Sequence, residues 1–307
     1  MIVVTGATGG LGSQVFKYLL QLLPASQITV SLHNPSGASE FIKTSGAQIR
    51  QGSYTDSSSL DSAWAKADKL FLISYPGISR EPRVAAHKSA IDAAKRLSIG
   101  HVYYTSLGFG TGISPESVAD VMQAHLETER YLKQSGLKYT IIREGIYSES
   151  WPLYLGFWSK EEGGDEVIIP NADGPIAWVS REDLGEATAK IIAEGAYGNE
   201  TIFLSGARTY TLTEIVSLIS SILSRALKIK VGTVDDYVTA NQGKRGPRGE
   251  PAFLQQWATT YTALAKGECS VVDQTIKRVL GRELKPMEQT LREMLGVADD
   301  SVDRYAK

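Results

Sequence analysis

Through residue 142 the chain alternates short β-branched or apolar runs with stretches whose apolar residues recur every three to four positions. The runs Ile2–Thr5, Gln27–Leu32, Gln48–Gln51, Lys69–Ser74, His101–Thr105 and Tyr139–Ile142 read as strands. Helices are predicted between them, near 11–23, 36–45, 57–65, 80–97 and 115–135. Strand–helix alternation of this kind predicts a doubly wound parallel sheet, an α/β fold of Rossmann type. In such a sheet ligands sit beyond the carboxyl ends of the strands. That singles out Gly6–Gly12, His33–Pro35, Ser74–Gly77, Ser106–Gly110 and Arg143–Ser148.

After about residue 148 the pattern loosens. Strands are predicted at Glu166–Pro170, Thr201–Leu204 and Lys228–Val231, and helices at Arg181–Glu194, Leu212–Arg225, 251–265, 273–280 and 286–295. The expected organisation is a dinucleotide-binding domain over 1–148, to which later segments return, and a smaller α+β substrate-binding region over 149–307. Gln242–Pro251, rich in Gly, Pro and charge, reads as an exposed mobile linker rather than a phosphate loop.

The first strand runs into Gly6, Gly9 and Gly12, and a helical pattern follows directly. Gly6 suits a tight turn, Gly9 a close backbone approach to a ligand, and Gly12 tight helix–strand packing. Free N–H groups and the dipole at the helix start suit a pyrophosphate. About twenty residues on, where NAD-binding folds carry an acid, stands Ser31-Leu-His-Asn-Pro35. Without a carboxylate there the balance leans to NADP, and without an arginine NAD or no bound cofactor stays open. His33 and Asn34 are either 2′-phosphate donors, with Lys43 in reach, or surface residues at a strand end.

Composition narrows the partners. The chain has 307 residues, 42% hydrophobic and 21% charged, with a net charge of −2. No basic stripe is present, so no nucleic-acid partner is expected. Cys269 is the only cysteine, which excludes an intramolecular disulfide and a thiolate metal site. With no long apolar run and a first strand starting at Ile2, no membrane association is expected and a cytoplasmic location is.

Thr5–Gly12, His33–Pro35, Tyr103–Leu107, His125–Glu129, Ser135–Thr140 and Arg143–Glu149 together resemble the NmrA-like branch of atypical short-chain dehydrogenases/reductases. The resemblance is nearest to its NADPH-dependent quinone oxidoreductase subgroup. It implies NADP(H), and either quinone reduction or a redox-sensing role. Strand ends and resemblance together assign cofactor contacts to Gly6, Thr8, Gly9, Gly10, Leu11, Gly12, His33, Asn34, Ser74, Tyr75 and Thr105. The chain departs from the family pattern at His33 (commonly Arg), Ser53 (commonly Asp) and Glu144 (often Asn).

Short-chain dehydrogenases use a Tyr-x-x-x-Lys proton relay, and aligned on this helix those positions are Val121 and His125. Ordinary carbonyl/alcohol dehydrogenation is thereby disfavoured. Hydride transfer to a quinone asks less of the protein, since the oxyanion can take its proton from water. The expected catalytic set is His125, Tyr147, Glu144 and Ser106. His125 and Glu129, at i and i+4, form either a hydrogen-bonded pair at the pocket or a helix-packing pair. In the first case His125 stabilises an oxyanion or donates a proton near neutral pH. Ser106 binds a substrate oxygen or simply ends its strand. Tyr147, Trp151, Tyr154, Phe157 and Trp158 line a pocket for a flat substrate, cement the second region onto the first, or both, and Trp178 is placed at the same cleft.

Three functions remain: an NAD(P)H-dependent reductase of a quinone or other conjugated aromatic molecule; a non-redox enzyme with Glu144 as general acid; and a dinucleotide-sensing regulator with a protein partner. Aromatic density favours a small-molecule substrate over the pure regulator.

Overall fold

The computed structural model describes residues 1–296 apart from 78 and 162. Seven parallel strands form the main sheet: β1 (Ile2–Thr5), β2 (Ile28–Leu32), β3 (Gln48–Gln51), β4 (Lys69–Leu72), β5 (His101–Leu107), β6 (Tyr139–Glu144) and β8 (Glu200–Leu204). Their order is β3-β2-β1-β4-β5-β6-β8, so the chain winds outward from β1 in both directions. The central strands are buried along nearly their whole length, which is why they read as largely apolar or β-prone runs.

Helices cover both faces. On one, α1 (Gly10–Leu22) buries Leu11, Val15, Phe16 and Leu19 and packs against α7 (Arg181–Glu194). Their approach is close because Gly185 has no side chain, and a Cβ there would strike Gln14. On the other, α3 (Ser57–Ala63), α4 (Arg80–Arg96) and α5 (Asp120–Gln134) enclose Leu60, Trp64, Ile91 and Leu132. The predicted helix near 36–45 is a 3-10 turn at Pro35–Gly37 followed by only α2 (Glu40–Thr44).

Beyond the carboxyl ends lies the third core, built by α6 (Trp151–Tyr154), α8 (Leu212–Leu223), α9 (Val234–Asn241), α10 (Pro251–Ala265), α12 (Met287–Gly296) and a parallel pair, β7 (Glu166–Pro170) and β9 (Lys228–Gly232). Residues 181–204 and α11 (Thr275–Leu280) lie against the main sheet instead. Helix α9 was not legible in the sequence; a Thr233–Asp236 capping box starts it. The Gln242–Pro251 segment is not a bare linker, for it holds a 3-10 turn at Gly246–Gly249.

Two strands run further than the sequence pattern suggested. β5 continues through Ser106 and Leu107, and β6 through Arg143 and Glu144, with Ser106 paired to Arg143 and Leu107 to Glu144. Polar side chains broke the apolar runs, yet each has a buried partner. Arg143 donates from Nε and Nη2 to the two Glu129 oxygens, both at 2.8 Å. Its Nη1 donates to the carbonyls of Gly112 (3.1 Å) and Ser114 (2.7 Å). Ser106 Oγ donates to Glu129 Oε1 at 2.5 Å. One buried ion pair thus ties β5, β6 and α5 to the loop after β5. From the other side Glu268 holds that loop, accepting from the backbone N–H of Gly110 (3.1 Å) and Val118 (2.9 Å) and from Ser117 Oγ (2.6 Å).

Candidate active site

A cavity of about 510 Å³ opens over the carboxyl ends of β1, β4, β5 and β6. At one end stands the glycine turn: Gly6, Thr8, Gly9, Gly10 and Leu11 line it. Gly6 adopts φ +63, a left-handed conformation natural to glycine. Gly9 precedes α1 without any side-chain cap, so first-turn N–H groups of this 13-residue helix are left for a ligand. Gly12 does not line the cavity; a Cβ there would collide with the Gly6 carbonyl, so it serves turn packing.

The opposite end is polar on one wall and aromatic on the other. His125 on α5, Thr105 and Ser106 on β5, and Ser74 and Arg83 after β4 lie on the polar side. Leu153, Tyr154, Phe253 and Trp257 form the other wall, the last two stacked with ring centroids 5.9 Å apart. Between the walls, Tyr147 Oη donates a short hydrogen bond to Glu144 Oε2. Glu144 Oε1 is buried without a hydrogen-bond partner. Burial outweighs the Tyr147 hydrogen bond and the nearby Arg181 charge, and raises the Glu144 carboxyl from 4.5 to about 8. At neutral pH Glu144 is therefore an uncharged acid.

The orientation of His125 follows from its neighbours. His87 Nε2 accepts from the Tyr75 backbone N–H at 2.8 Å. Its proton is then on Nδ1, directed at Thr128 Oγ1 2.8 Å away, and Thr128 donates onward to the Ala124 carbonyl at 2.8 Å. With His87 Nδ1 protonated and 3.5 Å away, Tyr104 Oη is free to donate to His125 Nδ1, 3.0 Å from it. In that arrangement the His125 proton is on Nε2. Burial, with the Arg83 charge next in weight, holds the His125 pKa well below 6.5, and the same causes bring His87 to about 3. His125 is thus a neutral N–H donor, which suits the stabilisation of an oxyanion rather than proton release near neutral pH.

Several expectations change accordingly. The His125–Glu129 pair does not form, since Glu129 is saturated by Arg143 and Ser106. His33 is exposed and Asn34 accepts from the Ser36 N–H (3.1 Å) and Oγ (2.6 Å), capping its own turn. Neither lines the cavity, nor does Tyr75. Lys43 pairs with Glu40 at 2.8 Å. Of the aromatic run only Tyr147 and Tyr154 line the cavity, while Trp151, Phe157, Trp158 and Trp178 are packed in the third core. Their rings have one another to cover, and the Trp178 indole N–H is taken by the Tyr210 carbonyl at 3.1 Å.

Residues missed in the sequence come from elements far apart in it. Arg248 on the 3-10 turn, with Phe253, Gln256 and Trp257 on α10, reaches the cavity only through the tertiary fold. Arg83 and His87 carried a faint signal: they stand one helical turn apart, just past a strand end.

The NmrA-like family model matches residues 1–293, and the chain belongs to that family. It is 33% identical over 296 residues to the NmrA-like family domain-containing oxidoreductase flvB of Aspergillus flavus, covering 95% of this chain and 94% of that one. To quinone oxidoreductase 2 of Escherichia coli it is 31% identical over 298 residues, covering 97% and 99%. Among solved structures, the E. coli NADPH-dependent quinone oxidoreductase complexed with NADPH superposes with a TM-score of 0.84 at 28% identity, covering 96% and 99%. The Citrobacter triphenylmethane reductase complexed with NADP(H) gives 0.82 at 26%, covering 95% and 99%. The Rossmann-type sheet is the fold these reductases share. No helix among the described residues is long and apolar enough to cross a membrane.

Proposed function

We propose, from membership of the NmrA-like family and the make-up of this cavity, that the chain is an NADPH-dependent reductase of a quinone or another conjugated aromatic small molecule. The observation that carries this reading is one continuous cavity with an uncapped helix N-terminus at one end and a stacked Phe253–Trp257 wall at the other. Gly6, Gly9, Gly10 and Leu11 fit a pyrophosphate, for they line the cavity with no carboxylate among them, and the N–H groups of the first turn after Gly9 have no side-chain cap, while the Gly9 N–H itself goes to the Gly6 carbonyl. When bound, NADPH supplies the hydride.

The side chains do the rest. Phe253 and Trp257 hold a flat ring system by stacking and exclude water. His125 donates its Nε2–H to the oxygen that gains charge, and Tyr104 holds the ring in that tautomer. Glu144, protonated at neutral pH, can release its proton to the reduced product, with Tyr147 fixing the carboxyl. A cytoplasmic location goes with this chemistry, since NADPH is the proposed reductant.

The test is to titrate NADPH and NADH against the purified protein by fluorescence and then add a quinone panel. NADPH binding with oxidation is expected; no binding of either dinucleotide would sink the reading. His125→Ala lowers kcat by about tenfold to a hundredfold, with NADPH affinity within about twofold of wild type. An unchanged kcat removes His125 from the mechanism.

Because His33 is a weak anion partner, NADPH exceeds NADH in affinity only modestly. His33→Arg is expected to tighten NADPH about tenfold and leave NADH unmoved, since only the 2′-phosphate meets the guanidinium. Equal gains for both would place residue 33 away from that phosphate.

One observation favours a second reading. The neutral Glu144 with its free Oε1 suits acid-catalysed rearrangement without any hydride. Turnover of a substrate in the absence of dinucleotide would select it.

A further inference from the structure

Arg83 is not needed by the scheme above, yet it faces the same cavity. The guanidinium is half-buried, and its Nε and Nη2 both donate to Ser74 Oγ, at 3.2 and 2.8 Å. Among the described residues no carboxylate lies within ion-pairing distance of it. By contrast Arg143, fully buried in β6, is saturated by Glu129 and two carbonyls.

A cation taken out of water without a counter-charge is costly unless a ligand supplies one. Burial lowers the Arg83 pKa from 12.5 and the fields of Tyr104 and Tyr147 offset this only in part, yet a guanidinium starts so high that it stays charged. Its own field reaches His87 and His125, which places it beside the catalytic histidine. The surrounding groups leave a place for one negative oxygen. His125 presents an N–H and Ser74 spends its oxygen on the arginine, while Glu144 stays uncharged at neutral pH. The opposite wall is aromatic.

From this arrangement we infer that Arg83, together with the His125 N–H, is an anion-recognition site that selects aromatic substrates bearing an ionised oxygen, a carboxylate or an enolate, next to the ring. The inference rests on the reading of the cavity as a small-molecule site, not on hydride transfer. Cofactor phosphate offers the same ionised oxygen, and the experiment separates the two sources.

The probes are 2-naphthoate and the neutral isostere 2-naphthamide, neither of which is reduced, titrated by quenching of tryptophan fluorescence in the presence of saturating NADP+. Wild type is expected to bind the carboxylate about tenfold more tightly than the amide. In Arg83→Met that preference falls to within about twofold, and in Arg83→Lys, which keeps the charge but not the fork, it is intermediate. Far-ultraviolet circular dichroism and NADP+ affinity, both near wild type, show that each variant is folded; should Arg83→Met not fold, Arg83→Lys and Arg83→Gln carry the comparison. Equal binding of the two probes by wild type overturns the inference. So does a preference that survives in Arg83→Met, or a loss of NADP+ affinity with the preference intact, which assigns Arg83 to the cofactor. A preference for naphthoate in a protein that leaves NADPH unoxidised whichever quinone is added sinks the quinone-reductase reading and leaves this one standing.

Discussion

Glu129→Ala is expected to lower the unfolding free energy by about 3–5 kcal/mol, among the largest effects of any single substitution in this chain. Arg143 and Glu129 are each almost fully buried, and the bidentate pair is completed by Ser106 and by two loop carbonyls. Removing Glu129 leaves a guanidinium with no counter-charge and a hydroxyl with no acceptor. The penalty is the desolvation of an orphaned charge rather than the lost attraction alone. Urea denaturation followed by tryptophan fluorescence measures it. The double variant Glu129→Leu, Arg143→Met is expected to recover part of the loss, because neither charge then needs solvating. Recovery is partial, since the Gly112 and Ser114 carbonyls lose their donor. A single-variant loss under about 1 kcal/mol would mean that water reaches the pair. The same arrangement explains why Glu129 is no catalyst: every oxygen it has is occupied.

Glu144→Gln is the second large effect, and its sign depends on pH. The folded carboxyl titrates at about 8 against 4.5 for an ordinary glutamate, so the folded chain holds a proton that the unfolded chain releases. Wild-type stability therefore falls as pH rises from about 4.5 to about 8, by up to about 1.4 kcal/mol per pH unit from this group alone. Below 4.5 both states are protonated and the contribution to the pH dependence vanishes. The amide of the variant has nothing to titrate, so the variant gains on wild type across that window. Chemical denaturation at pH 5, 6.5 and 8 reads the difference. A difference that does not grow with pH would place Glu144 in contact with solvent.

Activity moves the other way. Wild-type turnover is expected to stay level from about pH 5.5 to 7.5 and to decline as Glu144 ionises near 8. His125 adds no limb in this range, because its pKa lies well below 6.5. The glutamine variant turns over about tenfold more slowly, with no decline near 8, because water then supplies the proton. A wild-type profile flat through about pH 9 would exclude Glu144 as the donor.

The parallel sheet and the glycine turn were legible because their signals are local. β-branched runs, helical periodicity and the spacing of Gly6, Gly9 and Gly12 state their own geometry. His125 and Glu144 were legible as departures from a family pattern, at positions beside the expected cleft. Local reasoning failed where two elements share one side chain. Ser106 and Arg143 read as strand-ending polar residues, yet both lie within strands, each satisfied by Glu129 from another element. His33 and Asn34 occupy the right place in sequence for a ribose clamp, but nothing nearby in the chain indicates that Asn34 will cap its own turn.

By itself, then, the sequence determined the doubly wound sheet and the glycine turn that opens α1. Each follows from residue type and spacing within a few turns of chain. Only the tertiary structure decided the electrical state of the site. Whether Glu144 is charged, which His125 nitrogen bears the proton and whether Arg83 has a partner all depend on burial and on groups brought in from α4, α5, β5 and β6. Desolvation is a property of the packed surroundings, and those surroundings are assembled from residues that no short stretch of sequence contains.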